Sequence, residues 1–368
     1  MASVFSGLPD RPDLCDRIVS AFRCERPVLL FGTGDGADKT VAWLSSLGGS
    51  PAGVFVSPEF ARGQSFRGFS VLTPDEALDR WNDPLVLLCF ASRDPAVIGR
   101  IEALARRCDL AVPDFPVAGG ALFDRAFALS HRDEIERAYR LFSDERSREV
   151  YSSLLSYKLS GELAPLLSSS EPGYDPLSYL FPARWRRVLD GGAYDGDTAR
   201  AILDHAPDVE KILCVEPDER NYRRLLSYRD RETRAAITPV RAALSDAVGS
   251  ATLFAAGNRN STLFRASHEA RREEVGVTTV DELLGGTGID LLKLDVEGAE
   301  GAALRGAKTT LARFRPALLV SAYHRSEDLF SLPLLLNELC PGYRLSLRRR
   351  LCVPAWEVDL LALPDQSV

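Results

Sequence analysis

Residues 188–199 read Val-Leu-Asp-Gly-Gly-Ala-Tyr-Asp-Gly-Asp-Thr-Ala. An apolar strand runs into Asp190, turns through glycines and opens a helix at Asp197-Thr198. Gly191, Gly192 and Gly196 let the backbone turn tightly and approach a ligand closely. The first N–H groups of the helix have no partner within it and favour an anion such as a carboxylate or phosphate. Asp190, at the strand end, is placed to face a cationic group such as an amino-acid ammonium. Glu216 lies 20 residues past Gly196 and ends the next strand, Lys211–Val215. There it can accept hydrogen bonds from both hydroxyls of a ribose. A cofactor with a nucleoside is the reading.

Outward from this loop the chain repeats one plan. Upstream, Pro27–Phe31 is an apolar strand followed by Gly32-Thr-Gly-Asp-Gly-Ala37, a helix through Val41, Leu44 and Leu47, and a strand at Ala52–Val56. This loop matches the dinucleotide fingerprint, but no acid ends its second strand: Ser57 stands there and Glu59 comes two residues late. Nicotinamide binding is thereby weakened. Strands alternating with helices predict parallel, doubly wound sheets, so the chain is α/β with two Rossmann-like units. The expected division is 1–125, 126–182 (helical connector, ended by Pro165 and the run 168–173) and 183–368. Apolar spacing gives helices through Phe127–Phe142 and Val150–Leu159, with Ser143-Asp144 capping the second. This connector is too apolar to be a free linker, so it packs between the units or against another subunit.

Downstream, strands are predicted at 237–243, 251–254, 289–295 and 317–323, with helices at 280–284, through Leu304 and Leu311, and at 326–339, where Ser326 is the N-cap. The segments 344–347 and 358–363 pair as antiparallel strands. Five parallel strands closed by an antiparallel pair mark a class I methyltransferase fold, since dehydrogenases usually end in a parallel strand.

Composition excludes several classes. Of 368 residues 45% are apolar and 26% charged, which suits soluble globular domains. A net charge of −7 calls for no nucleic acid or acidic membrane. Residues 1–10 show no leader pattern, and the longest apolar runs have strand length. Seven scattered cysteines without a C-x-x-C pair predict a reducing cytoplasm and no structural metal. The basic runs at 184–187 and 348–350 are expected to be solvated strand ends.

LDGGAYDGDTA (189–199), VEPD (215–218), AALSDAVG (242–249), LLKLDVEGAE (291–300) and YHRSEDL (323–329) resemble the FkbM family of S-adenosylmethionine-dependent methyltransferases. The likeness covers 188 to about 364, and residues 142–161 resemble the segment preceding this domain in two-domain members. The resemblance implies that Asp190, Gly192 and Gly196 contact the methionine part of S-adenosylmethionine, Glu216 the ribose and Asp246 the adenine amino group. It implies a Rossmann-like accessory unit at the N-terminus, which binds a nucleotide-linked ligand or serves in assembly. Members with this YHxxEDL pattern often carry a second histidine near the C-terminus, where this chain has Leu347-Arg-Arg-Arg350.

Methyl transfer is an in-line displacement, so positioning the nucleophile is the main task, and a hydroxyl nucleophile benefits from a base. Lys293 and Asp295 share one face of a strand. A buried ion pair bracing the loop is the better reading of Lys293, while Asp295, at the strand mouth, is assigned to the site. Glu297 and Glu300 flank Gly298 as helix N-terminal acids or substrate contacts. His324 ends the adjacent strand and is the candidate base. A divalent metal held by Asp295 and His324 is the alternative, with no evident third ligand. The expected acceptor is a hydroxyl of a sugar or other secondary metabolite. A noncatalytic nucleotide-binding or scaffold protein and an NAD-dependent oxidoreductase are the rivals.

Overall fold

The computed structural model describes residues 4–5, 12–255 and 271–365, so most of the expected leader-free stretch 1–10 lies outside the described residues. The first sheet holds β1 (Val28–Phe31), β2 (Gly53–Phe55), β3 (Ser65–Phe66), β4 (Phe69–Leu72), β5 (Leu85–Leu88) and β6 (Asp109–Ala111), in the order β3-β4-β2-β1-β5-β6. All neighbours are parallel except β3 with β4. The central strands are apolar on both faces because helices cover both.

The second part contains β7 (Arg187–Gly191), β8 (Lys211–Val215), β9 (Ala236–Val240), β10 (Ala243–Leu244), β11 (Gly249–Ala255), β12 (Arg271–Thr278), β13 (Leu291–Leu294), β14 (Ala317–Ser321), β15 (Tyr343–Arg349) and β16 (Val358–Pro364). Seven of these form one sheet in the order β15-β16-β14-β13-β7-β8-β9. Five run parallel, and β16 pairs antiparallel with both β14 and β15, as the sequence predicts. Strand order reverses between β7 and β13, where such sheets bind ligands. A small sheet of β10, β12 and β11 lies apart, and the sequence reading placed no strand at β12.

The connector carries helices at Arg125–Ser130, Arg132–Leu141, Glu145–Ser160, Leu163–Ser168 and Pro176–Tyr179. Asp144 caps the third, accepting from Ser147 N at 2.9 Å. Pro165 does not end the helical part; it sits in the first turn of Leu163–Ser168, where its missing N–H costs nothing. The connector lies between the two sheets and covers an open edge of each. Val112 N, just past β6, donates to Gly161 O at 2.8 Å, and Ser143 N donates to Leu345 O of β15 at 2.9 Å. Unpaired edge backbone is thereby satisfied at both places.

Three further expectations are corrected. One helix through Leu304 and Leu311 is two, Glu300–Arg305 and Lys308–Phe314, broken at Gly306. Ser326 caps nothing: its hydroxyl donates to Ala121 O at 2.6 Å, and Glu327 takes the cap position. Arg348 and Arg349 are buried, not solvated. Arg349, 0% exposed, donates to Leu166 O at 2.8 Å, to Ser169 Oγ at 3.0 Å and to Cys352 O. The hydrogen bonds of its two terminal nitrogens offset much of the cost of burying a guanidinium and tie the connector to the β15–β16 turn. The seven cysteines form no disulfide. No helix among the described residues is long and apolar enough to cross a membrane.

Candidate active site

A cleft of about 560 Å³ opens at the β7/β13 reversal. At one end it is lined by Gly192, Tyr194, Asp197, Thr198 and Glu216, in the middle by Lys293, Asp295 and Glu297. Gly192 has φ +76°, and a Cβ there would lie 1.8 Å from the carbonyl oxygen of Asp295. Only glycine lets the loop lie against the exit of β13, so this residue sets the cleft floor. Gly196 is the N-cap of helix Asp197–His205, also with positive φ. Gly191 ends β7 beneath the floor and is not in the lining.

Glu216, mostly buried, is held by two backbone donors: Tyr194 N reaches one oxygen and Asp218 N the other, each at 2.9 Å. The Asn221 side chain also hydrogen-bonds this carboxylate, whose remaining lone-pair capacity faces the cleft. Burial pushes its carboxyl up to about 7, and the two backbone hydrogen bonds only partly offset this. Tyr194, with φ +49°, was not singled out in the sequence; its backbone role gives no side-chain signal.

Asp190 does not reach the cleft. It is 0% exposed and pairs with Lys293 Nζ at 2.9 Å, and that ammonium also donates to Gly192 O at 2.9 Å. The expected contact of Asp190 with a ligand ammonium is replaced by one with Lys293, which fills its place under the loop. The bracing role read for Lys293 matches this geometry. Burial opposes the charge of Lys293, but the neighbouring carboxylate holds it protonated. Asp246 is also away from the cleft. The chain leaves β10 at Leu244 and carries Asp246 into solvent, 3.4 Å from Arg305.

At the exit of β13, Glu297 has φ +53° and turns into the cleft wall. Strain of this kind, about 1–3 kcal/mol, persists where the surroundings enforce it and clusters at functional sites. Glu300 begins the next helix, fully buried, accepting from Val296 N at 2.8 Å. His324 lies behind these acids, 0% exposed and outside the cleft lining. Its Nδ1 is 2.9 Å from Glu300, and its Nε2 lies 3.4 Å from Asp295 and 3.5 Å from Glu297. Burial disfavours its charge, but Glu300 and Glu297 outweigh that and push it up to about 10. A buried imidazolium cannot take a proton, so the sequence expectation of a histidine base is revised: His324 holds its neighbours in place. Burial raises Glu297 to about 8, whereas Lys293 and His324 overcome the burial of Asp295 and keep it below the usual range.

Glu300 supplies the third candidate metal ligand missing from the sequence reading: ligand atoms of Asp295, Glu300 and His324 lie within 4.8 Å of one another. Glu300 and Asp295, however, face different nitrogens of the one imidazole. In this arrangement the imidazole is engaged by carboxylates on both of its nitrogens.

The first glycine loop is away from this cleft. At Gly36 a Cβ would lie 2.1 Å from Cys89 O, so that glycine lets its helix pack onto the end of β5. Glu59 is 3.2 Å from Arg100 on the surface.

Comparisons with known proteins find a likeness over this part of the chain. The family model described as the methyltransferase FkbM domain matches residues 190–345. This stretch of the chain is similar to the FkbM methyltransferase domain. A crystal structure of methyltransferase FkbM from Methylobacillus flagellatus KT is similar in fold, with TM-score 0.70 at 17% identity, covering 95% of this chain and 94% of that one. Precorrin-6y C5,15-methyltransferase from Geobacter metallireducens GS-15 is more distant, with TM-score 0.35 at 12% identity, covering 52% of this chain and 86% of that one. No curated protein matches. The matched stretch runs from Asp190 on β7 into β15, spanning the reversal and all three acids of the β13 exit.

Proposed function

We propose that the FkbM-like domain transfers a methyl group from S-adenosylmethionine to a hydroxyl of a sugar or other secondary metabolite, within a chain divided as 1–125, 126–182 and 183–368. The observation that carries this reading is the cleft at the β7/β13 reversal, with Glu216 at its far strand end. The N–H groups opening helix Asp197–His205, near Thr198, would hold the methionine carboxylate, and Glu216 would accept from the ribose hydroxyls. S-adenosylmethionine supplies the sulfonium methyl. The chain's own residues position the acceptor hydroxyl in line with it and take its proton. Calorimetry with S-adenosylmethionine tests this directly. Folded protein that binds none removes the reading, and binding without any methylated product favours a noncatalytic role. Glu216→Ala is expected to weaken binding about 10- to 100-fold, since hydrogen bonds to a charged group contribute roughly 1.5–3 kcal/mol.

The proton goes to Glu297. A base with a pKa near the working pH suits the task, and its carboxyl titrates at about 8. The sign follows: Glu297 must lose its proton to act, so kcat/KM rises with pH to a plateau above about 8. It falls again near 10, where His324 gives up its charge and the acids lose their counter-ion. Glu297→Gln is expected to remove the rising limb and lower kcat/KM by about 10²–10⁴. A wild-type profile flat from pH 6 to 9 excludes this assignment.

A further inference from the structure

The far end of the cleft is not made by the FkbM-like domain alone. Ser92 and Arg93, just past β5, line it together with Arg350, Trp356, Glu357 and Asp359 of the β15–β16 region. The two parts are tied at the wall itself. Ser92 and Val353 exchange backbone hydrogen bonds of 2.8 and 2.9 Å, and Ala118 N donates to His324 O at 2.9 Å. Arg93 reaches across to Glu357 at 2.8 Å. Glu357 has φ +62°, the third non-glycine residue of this cleft, after Tyr194 and Glu297, held in the left-handed region.

Both guanidinium groups at this end are already committed. Arg93 pairs with Glu357, and Arg350 pairs with Glu357 at 2.5 Å and faces Asp359 at 3.8 Å. From the middle of the cleft to this end, four carboxyls (Asp295, Glu297, Glu357, Asp359) stand against two guanidiniums and the ammonium of Lys293, which is already paired with the buried Asp190. An entering phosphate or carboxylate finds no uncommitted guanidinium and meets acids, whereas a neutral hydroxyl compound or an amine meets acceptors. We infer that the N-terminal unit completes the acceptor pocket, and that this pocket takes a neutral or amine-bearing polyhydroxyl compound and rejects an anionic one. Burial already suppresses ionisation here, raising Glu297 to about 8 and Asp359 to about 7, and a second anion aggravates what a cation relieves.

The inference rests on the methyl-transfer reading for calling this end the acceptor pocket. Its test is separable from that reading. Glucose, glucosamine and glucuronate are three probes of one shape and different charge. Saturation-transfer NMR on the full chain, with and without S-adenosylhomocysteine, is expected to show binding of the first two and at least tenfold weaker binding of glucuronate. Glu357→Gln frees Arg93 and leaves Arg350 only its longer contact with Asp359, and is expected to narrow that gap about tenfold, with the melting temperature as the check on folding. Arg93→Ala is expected to weaken glucose binding several-fold, through loss of the pocket wall, while S-adenosylmethionine affinity stays unchanged. Glucuronate binding as well as glucose, none of the three binding, or Arg93→Ala without effect overturns the inference. Loss of S-adenosylmethionine binding in calorimetry removes the methyl-transfer reading alone, because the ranking is also read without cofactor.

Discussion

Gly192→Ala is expected to destabilise the FkbM-like domain by about 2–5 kcal/mol and to abolish binding of S-adenosylmethionine. The left-handed backbone costs an L-residue roughly 1–2 kcal/mol, and forcing a methyl into a packed site adds about 1–3 kcal/mol. The added Cβ strikes a carbonyl oxygen of the adjoining strand exit, which no rotamer change can move aside. The strand exit must shift, and Asp295 and Glu297 shift with it. Urea denaturation measures the first effect and calorimetry the second. Gly34→Ala is the control: it occupies the look-alike loop, has a negative φ and has nothing within 4 Å of its Cβ position. An effect no larger for Gly192→Ala than for Gly34→Ala removes the account of the cleft floor.

Lys293→Met is the second large effect. Asp190 is fully buried, and taking away its partner leaves a carboxylate uncompensated, a loss of about 3–5 kcal/mol. Lys293→Met combined with Asp190→Leu is expected to recover most of that loss, because a buried pair replaced by apolar groups of similar volume is often neutral. The same denaturation experiment separates the two. A double variant no more stable than Lys293→Met shows that the pair does something other than brace the loop, such as hold a ligand through Asp190.

Much of this was legible in the sequence, and the reasons are local. PVLLF, RVLDG and LLKLD are apolar runs bounded by glycines, a pattern that buried parallel strands produce and few other elements do. The closing strands 344–347 and 358–363 are separated by a turn long enough to let them pair. β12 escaped because Arg-Arg-Glu-Glu precedes its two alternating valines, too few to give a period of two. The burial of Arg348 and Arg349 escaped because charge normally signals solvent. The groups that satisfy Arg349, Leu166 O and Ser169 Oγ, lie 180 or more residues away in the chain. The far wall of the cleft escaped for the same reason. Nothing near Arg93 in the chain announces Glu357; only the folded arrangement brings them together. Glu297 and His324 were both singled out, but their roles turned on burial, which spacing does not report: the histidine was the deeper of the two.

The placement of β16 has a consequence for how the chain is made. β15 emerges before β16, yet its way into the sheet is through β16, which lies between it and β14. Until β16 slides in, β15 has the connector on one side and no neighbour on the other, and Asp359 has no position at all. β16 pairs antiparallel on both flanks, so this edge of the sheet is complete only once β16 is in place. A nascent chain ending before Val358 therefore contains the glycine loop, Glu216 and the β13 acids, but lacks the wall that Asp359 helps to form. On the methyl-transfer reading, such a chain is expected to bind cofactor and yet to be silent towards its acceptor, so activity would appear with sheet closure and not gradually with length.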